Sequence, residues 1–335
     1  MKKFLIIILI TLLSSQIYSQ KVYTSLNEAL ISKNEVTVLD LSSNNLTVFP
    51  DAIYSFPNLE ILILINNQIT SIPNDIIKLS NLKQLFLDNN QISVLPEKIG
   101  ELKKLEVLTL SNNKLKSLPN SFVSLINLKY LSLSNNQFNT IPENICLSSL
   151  EIIDLSSNQI SSFSNACFSK FTKLKNLYLS NNNLNKFPVE ITKIPTLQLI
   201  AIDNNNISEL PNEISNLKEL KYFFISNNKL SSINISIFQI ITLEYLNISY
   251  NILTSLPNEF NKLKNLKQID LSNNQIVNIP KSLAKMEQLE ELNLCHNRIF
   301  QVNEEFANTP KLRKIGLTNN TMVQIPSFLS KYIIY

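Results

Sequence analysis

The sequence predicts an α/β solenoid in which short coils of chain stack on one another and share a parallel β-sheet. Two observations lead to this prediction. An asparagine recurs every 22–24 residues along most of the 335-residue chain, and apolar and polar residues alternate in the stretch before each copy. Alternation with a period of two is typical of a strand with one buried face. A fixed repeat of this length is typical of stacked structural units.

The recurring unit reads L-x-x-L-x-L-x-x-N-x-L, and Leu105–Leu115 is one complete copy. A proline follows the asparagine six positions later in ten of the thirteen copies. We call these asparagines the ladder asparagines. They are Asn44, Asn67, Asn90, Asn113, Asn136, Asn158, Asn182, Asn205, Asn228, Asn251, Asn274, Asn297 and Asn320. Thirteen copies in nearly constant register predict thirteen stacked coils.

This unit resembles the leucine-rich repeat, in the 23-residue form LxxLxLxxNxLxxLPxxIxxLxx, and the resemblance extends over about residues 36–332. It implies a curved, horseshoe-like solenoid with a parallel β-sheet on the concave face. Short helical, 3-10 or irregular segments are implied on the convex face. The resemblance also implies a protein-binding scaffold without catalytic activity.

The residues support the same fold independently. Leu108 and Leu110 are expected to point into the core. A single coil cannot bury these leucines, but coils whose strands stack about 4.8 Å apart can bury them in one continuous core. The ladder asparagines fall where the chain leaves the strand. Their amides can donate and accept hydrogen bonds, which would satisfy buried backbone groups from coil to coil. The residue before Asn182, Asn181, is expected to be exposed and to tolerate alanine.

The N-terminal segment predicts export. Lys2 and Lys3 precede an apolar run from Phe4 to Leu13, and the small residue Ser19 follows. This is the pattern of a secretory signal peptide, and the run is shorter than the roughly 20 residues of a membrane-spanning helix. We therefore expect a secreted, cell-surface or periplasmic protein. The alternative is a cytoplasmic protein whose first segment is not a signal.

Three segments follow from this reading. Residues 1–19 are expected to form the signal peptide and residues 36–335 the domain of thirteen repeats. Residues 20–35 are expected to contain an N-terminal cap helix, because Ser25 and Glu28 have the spacing of a capping box. No dedicated cap is recognisable near Tyr335, where the chain is expected to end inside a convex segment. Self-association at this end and a last coil that caps itself both remain open.

The composition argues against several function classes. The chain has two glycines and one histidine, so glycine-rich phosphate loops are excluded and histidine-based metal or catalytic sites have little basis. The net charge of +4 falls to +2 without Lys2 and Lys3, which is small for a nucleic-acid binder. We expect no catalytic residues, cofactor, metal or nucleic-acid partner, and no stable membrane insertion once the signal is removed.

The exposed face of the predicted sheet is unusually rich in aromatic residues. Large exposed apolar surfaces usually mark binding sites, and tyrosine is enriched at interfaces. We therefore predict a protein partner bound on the concave face. The candidate residues are Phe86, Tyr130, Tyr178, Tyr222, Phe224, Tyr245 and Tyr250. Three alternatives stay open: a carbohydrate or envelope polymer stacked on the tyrosines, an intracellular signalling scaffold, and aromatics that only reflect strand propensity and cross-strand packing.

Two further patterns lie outside this surface. The second residue of successive units alternates in charge, which predicts exposed ion pairs between neighbouring coils. These residues are Glu60, Lys83, Glu106, Lys129, Glu151, Lys175, Gln198, Lys221, Glu244, Lys267, Glu290 and Arg313, with Gln198 replacing one glutamate. Cys146 and Cys167 fall on neighbouring convex segments, where they form either a disulfide or two separate thiols.

Overall fold

A computed structural model describes residues 20–163, 168–322 and 324–334, so the predicted signal peptide at 1–19 lies outside the described residues. The chain divides into two compact units. The first ends at Phe138 and also contains Pro142–Leu150, and the second contains Asn139–Ile141 and the chain from Glu151 onward. The division falls in the repeat that has 22 residues instead of 23.

Each unit contains parallel β-strands that are hydrogen-bonded in sequence order. In the described part of the first unit they are β1 (Val22–Tyr23), β2 (Val38–Asp40), β3 (Ile61–Ile63), β4 (Gln84–Phe86), β5 (Val107–Thr109) and β6 (Tyr130–Ser132). In the second they are β7 (Ile152–Asp154), β8 (Asn176–Tyr178), β9 (Leu199–Ala201), β10 (Tyr222–Phe224), β11 (Tyr245–Asn247), β12 (Gln268–Asp270), β13 (Glu291–Asn293), β14 (Lys314–Gly316) and β15 (Ile333–Ile334). Strands β2–β14 correspond to the thirteen repeats. The predicted solenoid with a parallel sheet is confirmed.

The register follows the repeat length. Tyr222 pairs with Tyr245, and Tyr245 pairs with Gln268, so residues 23 positions apart stand side by side on neighbouring strands. The middle residue of each strand points into the core. The leucines shortly before and directly after each strand also point into the core. Leu108 and Leu110 are completely buried, as their alternation with polar residues predicts.

Short helices occupy the other side of the coils. The described 3-10 helices are Asp51–Ser55, Asn74–Lys78, Glu97–Glu101, Asn120–Ser124, Glu143–Ile145, Phe168–Lys170, Val189–Lys193, Asn212–Asn216, Ile235–Gln239, Phe260–Lys262, Glu304–Asn308 and Ser327–Leu329. Most begin directly after the proline of the repeat, whose backbone is extended, as at Pro73 with φ −68° and ψ 156°. Proline fixes φ near this value. Because proline has no backbone N–H, no hydrogen-bond acceptor is needed at this position.

Two short α-helices complete the described structure, α1 (Leu26–Ile31) and α2 (Lys281–Ala284). Helix α1 begins where the sequence predicts a cap helix, but the Ser25 side chain makes no capping hydrogen bond. Glu28 instead forms an ion pair of 3.0 Å with Lys21. The predicted capping box is therefore not formed.

The last described strand also differs from the expectation. Ile333 pairs with Lys314, and Ile334 pairs with Ile315, so β15 continues the parallel pairing beyond β14. The sequence predicts a convex segment here, since the repeat pattern ends before the strand positions of a further unit. Alternating apolar residues are absent from this stretch, which left the strand without a recognisable signal. Tyr335 lies outside the described residues.

The ladder asparagines bond to the backbone of neighbouring coils. The Asn182 amide nitrogen Nδ2 donates to the carbonyls of Leu155 and Leu179, each at 3.0 Å. Its Oδ1 accepts from the backbone N–H of Ile160 at 2.9 Å. The equivalent bonds recur at Asn67, Asn90, Asn113, Asn136, Asn205, Asn228, Asn251, Asn274 and Asn297, which are all at most 8% exposed. One buried side chain thus satisfies backbone groups of its own coil and of the coil before it.

The residue before each ladder asparagine has a left-handed backbone. Asn181 has φ +58°. The same conformation occurs at Ser43, Asn66, Asn89, Asn112, Asn135, Ser157, Asn204, Asn227, Tyr250, Asn273, His296 and Asn319. Most L-residues lose about 1–2 kcal/mol in this conformation, whereas asparagine tolerates it. The Asn181 side chain is exposed, as expected, but the left-handed backbone favours asparagine or glycine and argues against the expected tolerance of alanine.

The charged column at the strand edge forms ion pairs within each unit. Lys83 reaches Glu60 at 2.8 Å. In the second unit Lys175 reaches Glu151 at 2.8 Å, Lys267 reaches Glu244 at 2.7 Å, and Arg313 bonds to Glu290. Each of these four cations contacts the glutamate of the preceding coil. These side chains are partly exposed, so each pair adds between zero and about 1 kcal/mol.

We expect Asn182→Ala to lower the free energy of unfolding by about 1–3 kcal/mol, because the buried backbone groups of Leu155, Leu179 and Ile160 lose their partner. Asn181→Gly is the matched control. Glycine accepts the left-handed conformation, so this change should cost less than about 0.5 kcal/mol. Urea titration of both variants measures the difference, and equal losses would contradict the assignment.

Candidate functional site

The sheet face is formed by the side chains of each strand that point away from the leucine core. On β10, Tyr222 and Phe224 lie on this face, while Phe223 between them is completely buried in the core. This alternation places the first and third residues of each strand on the sheet face. The residue two positions after the last residue of a strand, such as Asp203 after β9, lies on the same face.

Three of the predicted binding residues are buried on this face. Phe86 is 2%, Tyr130 is 3% and Tyr178 is 1% exposed. Tyr178 stands between Asp154 and Ala201 on the adjacent strands. A ring that is this buried offers almost no surface to a partner. The expectation that Phe86, Tyr130 and Tyr178 form exposed partner contacts is corrected accordingly.

Burial also changes the chemistry of Tyr178. It raises the pKa of the Tyr178 hydroxyl to about 12, and the negative charge of Asp154 acts in the same direction. The side chain of Asn176 opposes this shift. Tyr178 therefore stays neutral over the physiological range and behaves as part of the packed sheet.

Tyr222, Phe224 and Tyr245 form the part of the predicted site that remains accessible. We call these three residues the aromatic cluster. All three are half-buried, and the ring centroids of Phe224 and Tyr245 are 4.9 Å apart with an interplanar angle of 35°. Tyr222 stands directly beside Tyr245 in the register. Ala201 is the neighbour of Phe224 on β9.

Carboxylates surround the aromatic cluster. Burial raises the pKa of the Tyr245 hydroxyl, and the negative charges of Asp270, Asp203 and Glu291 raise it further. These carboxylates are not among the residues that the sequence predicts for partner binding. The repeat register places Asp270 on the strand next to Tyr245, and Asp203 and Glu291 two strands from it.

Asp203 is a buried carboxylate, 3% exposed. Its Oδ1 accepts from the backbone N–H of Ser226 at 2.8 Å and from the Ser226 hydroxyl at 2.7 Å. Its Oδ2 accepts from the Ser180 hydroxyl at 3.2 Å. Burial raises the pKa of Asp203, and these hydrogen bonds oppose the shift only in part.

Asp270 differs from Asp203 in exposure and in its bonds. It is half-buried, and its Oδ1 accepts from the backbone N–H of Ser272 at 2.9 Å and from the Ser272 hydroxyl at 2.6 Å. Within the described part of the chain, its Oδ2 accepts no hydrogen bond. Asp270 therefore presents one carboxylate oxygen next to the aromatic cluster.

Tyr250 lies outside the sheet, in the turn after β11. It is 58% exposed and has φ +52°, a position that asparagine fills in most other coils. A bulky residue in this conformation is an outlier, and such strain concentrates at functional sites. Its exposure agrees with the predicted binding role, which no contact in the structure tests.

Cys146, Cys295 and His296 are not part of the aromatic cluster. Cys146 is disulfide-bonded and Cys167 lies outside the described residues, so the predicted Cys146–Cys167 pair stays a prediction. Cys295 is a buried thiol that accepts a hydrogen bond from Thr318 at 3.2 Å, and the His296 Nε2 lies 3.1 Å from the Asn319 amide. In the described ranges no three His, Cys, Asp or Glu side chains are placed to hold a metal ion. No described helix has the length and apolar composition needed to span a bilayer.

The raised pKa of Asp203 has a consequence for stability. From about pH 3.9, the ordinary pKa of aspartate, up to the raised value, the folded state binds more protons than the unfolded state, so the free energy of unfolding falls as pH rises. Asp203→Asn keeps the acceptor for Ser226 without the charge. We expect the variant to lose this decline and to be at least as stable as the wild type at pH 7.

Urea titrations between pH 4 and pH 7 measure the effect. Asp51→Asn is the matched control, because Asp51 is exposed on a 3-10 helix of the first unit. If Asp203→Asn proves less stable than the wild type at pH 7, the charged form of Asp203 stabilises the fold and the stated sign is wrong.

We expect Tyr250→Asn to raise the free energy of unfolding by about 0.5–1 kcal/mol, because asparagine tolerates the left-handed backbone that strains tyrosine. Ile252→Asn is the control, since Ile252 is 45% exposed and has no positive φ. Thermal and urea unfolding of both variants test this. An unchanged or lower stability of Tyr250→Asn would show that the tyrosine ring makes compensating contacts.

Comparison with known proteins places the repeats in a family. A model of a leucine-rich repeat region matches residues 54–145, and leucine-rich repeat models match residues 35–56, 144–184 and 264–322. A model of two such repeats matches residues 241–285. No curated protein sequence matches the chain.

Solved structures share the fold. A leucine-rich repeat protein of Leptospira interrogans is 28% identical with a TM-score of 0.74, over 94% of this chain and 100% of its own. An internalin of Listeria monocytogenes, InlF, is 22% identical with a TM-score of 0.79, over 92% and 87%. The leucine-rich repeat ectodomain of the Arabidopsis thaliana receptor kinase GASSHO1/SCHENGEN3, solved in complex with CASPARIAN STRIP INTEGRITY FACTOR 2, is 24% identical with a TM-score of 0.64, over 92% and 44%. With its repeats, strands and ladder asparagines, the chain belongs to the leucine-rich repeat proteins.

Proposed function

We propose that the protein is a non-enzymatic binding scaffold, secreted or held at the cell surface, that binds a protein partner on the sheet face of its second unit. The observation that carries the proposal is the aromatic cluster. Its rings are half-buried, so they are fixed by their neighbours while part of each stays available. Rigid aromatic side chains of this kind are the usual anchors of protein interfaces, because they bury large area with little loss of rotamer freedom.

The surroundings of the cluster fit this role. Strands β9–β12 hold the rings on a rigid sheet, and neighbouring strands in register bring side chains of different coils into one contiguous surface. The Arabidopsis neighbour was solved with a factor bound, which supports a protein ligand for this fold. The basic and apolar N-terminal segment supports export.

A carbohydrate or envelope polymer is the second candidate. Tyr222 and Tyr245 can serve as stacking platforms, and the carboxylate of Asp270 can accept hydrogen bonds from sugar hydroxyls. Glycan-array binding of the purified protein distinguishes the two candidates. If the protein binds glycans strongly and this binding is lost when the aromatic cluster is mutated, the ligand is a polymer and not a protein.

We expect Tyr222→Ala combined with Tyr245→Ala to weaken capture of the partner at least about tenfold, because truncating one such anchor commonly costs about 2 kcal/mol or more. The measurement is a quantified pull-down from the extracellular fraction of the native host with the purified protein as bait. Ile235→Ala combined with Ile241→Ala is the control, since these side chains are 65% and 58% exposed, at the start of and just after the 3-10 helix Ile235–Gln239 of the same unit.

The thermal midpoint of each variant separates binding from folding. Removal of the half-buried Tyr222 and Tyr245 rings should lower it far less than Tyr178→Ala, whose ring is 1% exposed. Undiminished capture by the double variant would move the binding site away from the aromatic cluster. A collapsed fold would mean that these two rings belong to the core.

A further inference from the structure

We infer that the sheet face of the second unit recognises a cationic side chain, an arginine or lysine on an extended segment of the partner, held between the Phe224–Tyr245 ring pair and the carboxylate of Asp270. The inference rests on the proposed function and specifies the chemistry of the partner. Three observations carry it: the charge balance of the face, the geometry of the rings and the unfilled oxygen of Asp270.

The sheet face of the second unit is acidic. Along the described strands β7–β14 and the residue two positions beyond each, the acidic side chains are Asp154, Asp203, Asp270 and Glu291, and the basic one is Lys314. The Lys314 ammonium is already engaged, at 2.7 Å from Glu291. Since like charges across an interface are strongly unfavourable, an anionic partner segment is disfavoured and a cationic one is favoured.

The aromatic cluster adds a second requirement. Phe224 and Tyr245 are tilted by 35° with their centroids 4.9 Å apart, and both rings are half-buried. A cation over an aromatic face within about 6 Å of the centroid is attracted by the ring quadrupole, and guanidinium also stacks on the ring plane. An aliphatic segment of the partner could pack on the rings. It would also remove water from the neighbouring carboxylates without giving them a partner, and this desolvation costs free energy.

Asp270 supplies the third element. It lies on β12, on the strand next to Tyr245, and its charge is the main electrostatic influence on the Tyr245 hydroxyl. Ser272 fixes one oxygen of Asp270 through two hydrogen bonds, of 2.9 and 2.6 Å. The carboxylate is thereby oriented while its Oδ2 can accept from a guanidinium or ammonium group. Asp203 follows β9, the strand before Phe224, and is buried. Its negative charge adds to the electrostatic attraction for the cation, but its carboxylate does not contact the cation.

The test uses a random-peptide display library panned against the purified protein. Enriched peptides are synthesised with a fluorescent label, and their affinities are measured by fluorescence polarisation for the wild type, Asp270→Asn, Tyr245→Ala and Glu213→Gln. Asp270→Asn keeps the acceptor for Ser272 and removes the charge. Glu213→Gln makes the same charge change on an exposed 3-10 helix residue of the same unit and is the matched control.

We expect the selected peptides to be enriched in arginine or lysine. Asp270→Asn and replacement of the peptide's cation by glutamine should each weaken binding about tenfold, the equivalent of one charge-assisted hydrogen bond. The two changes together should weaken it little more than either alone, because both remove the same contact. Glu213→Gln should leave the affinity unchanged.

Other outcomes separate the two proposals. Peptides that lose affinity with Tyr245→Ala but carry no cation, or for which the two charge changes act independently, would overturn the cationic partner and leave the binding face intact. Peptides that are indifferent to Tyr245→Ala and Asp270→Asn, or a library from which nothing is enriched, would overturn the binding face itself.

Discussion

The structure depends on one interaction, the buried hydrogen bonds that each ladder asparagine makes to the backbone. Asn182 bonds to carbonyls of two successive coils and receives an N–H from one of them, so its side chain replaces the water that a turn normally needs. The left-handed residue before it, Asn181, turns the chain so that the amide can enter the core. Where these two residues recur at constant spacing, the strands stack in register and the leucines form one core per unit.

The register, in turn, determines what the sheet face can do. Residues 23 positions apart become neighbours, so the properties of the face are set by columns of the sequence and not by local segments. Ala201 stands beside both Tyr178 and Phe224 in the register, and the Tyr178 ring is buried while the Phe224 ring is half-buried. The aromatic cluster and the carboxylates near Tyr245 are brought together in the same way, although they lie on different repeats.

Most of the fold could be predicted from the sequence because its period is carried by many copies, and Leu108 and Leu110 lie where the alternation puts them. The burial of individual rings could not be predicted. Tyr178 and Phe224 both occupy the third position of their strands, yet the Tyr178 ring is buried and the Phe224 ring is half-buried, a difference that the repeat pattern does not carry. The left-handed backbone at Asn181 was also missed, since the pattern shows a second asparagine but not its φ angle. Tyr250 breaks that pattern, and only the angle shows the strain.

The use of asparagine in the turns also affects the unfolded chain. A glycine at Asn66, Asn89 or Asn204 would accept the left-handed conformation without strain, but it would give the denatured ensemble more conformational freedom to lose on folding. Asparagine restricts that ensemble, at the cost of a small strain in the native turn. The net advantage is at most about 0.5 kcal/mol per turn, but it recurs in coil after coil. The chain has only two glycines. Part of its stability therefore comes from the restricted conformational freedom of its unfolded state and not from contacts in the native structure.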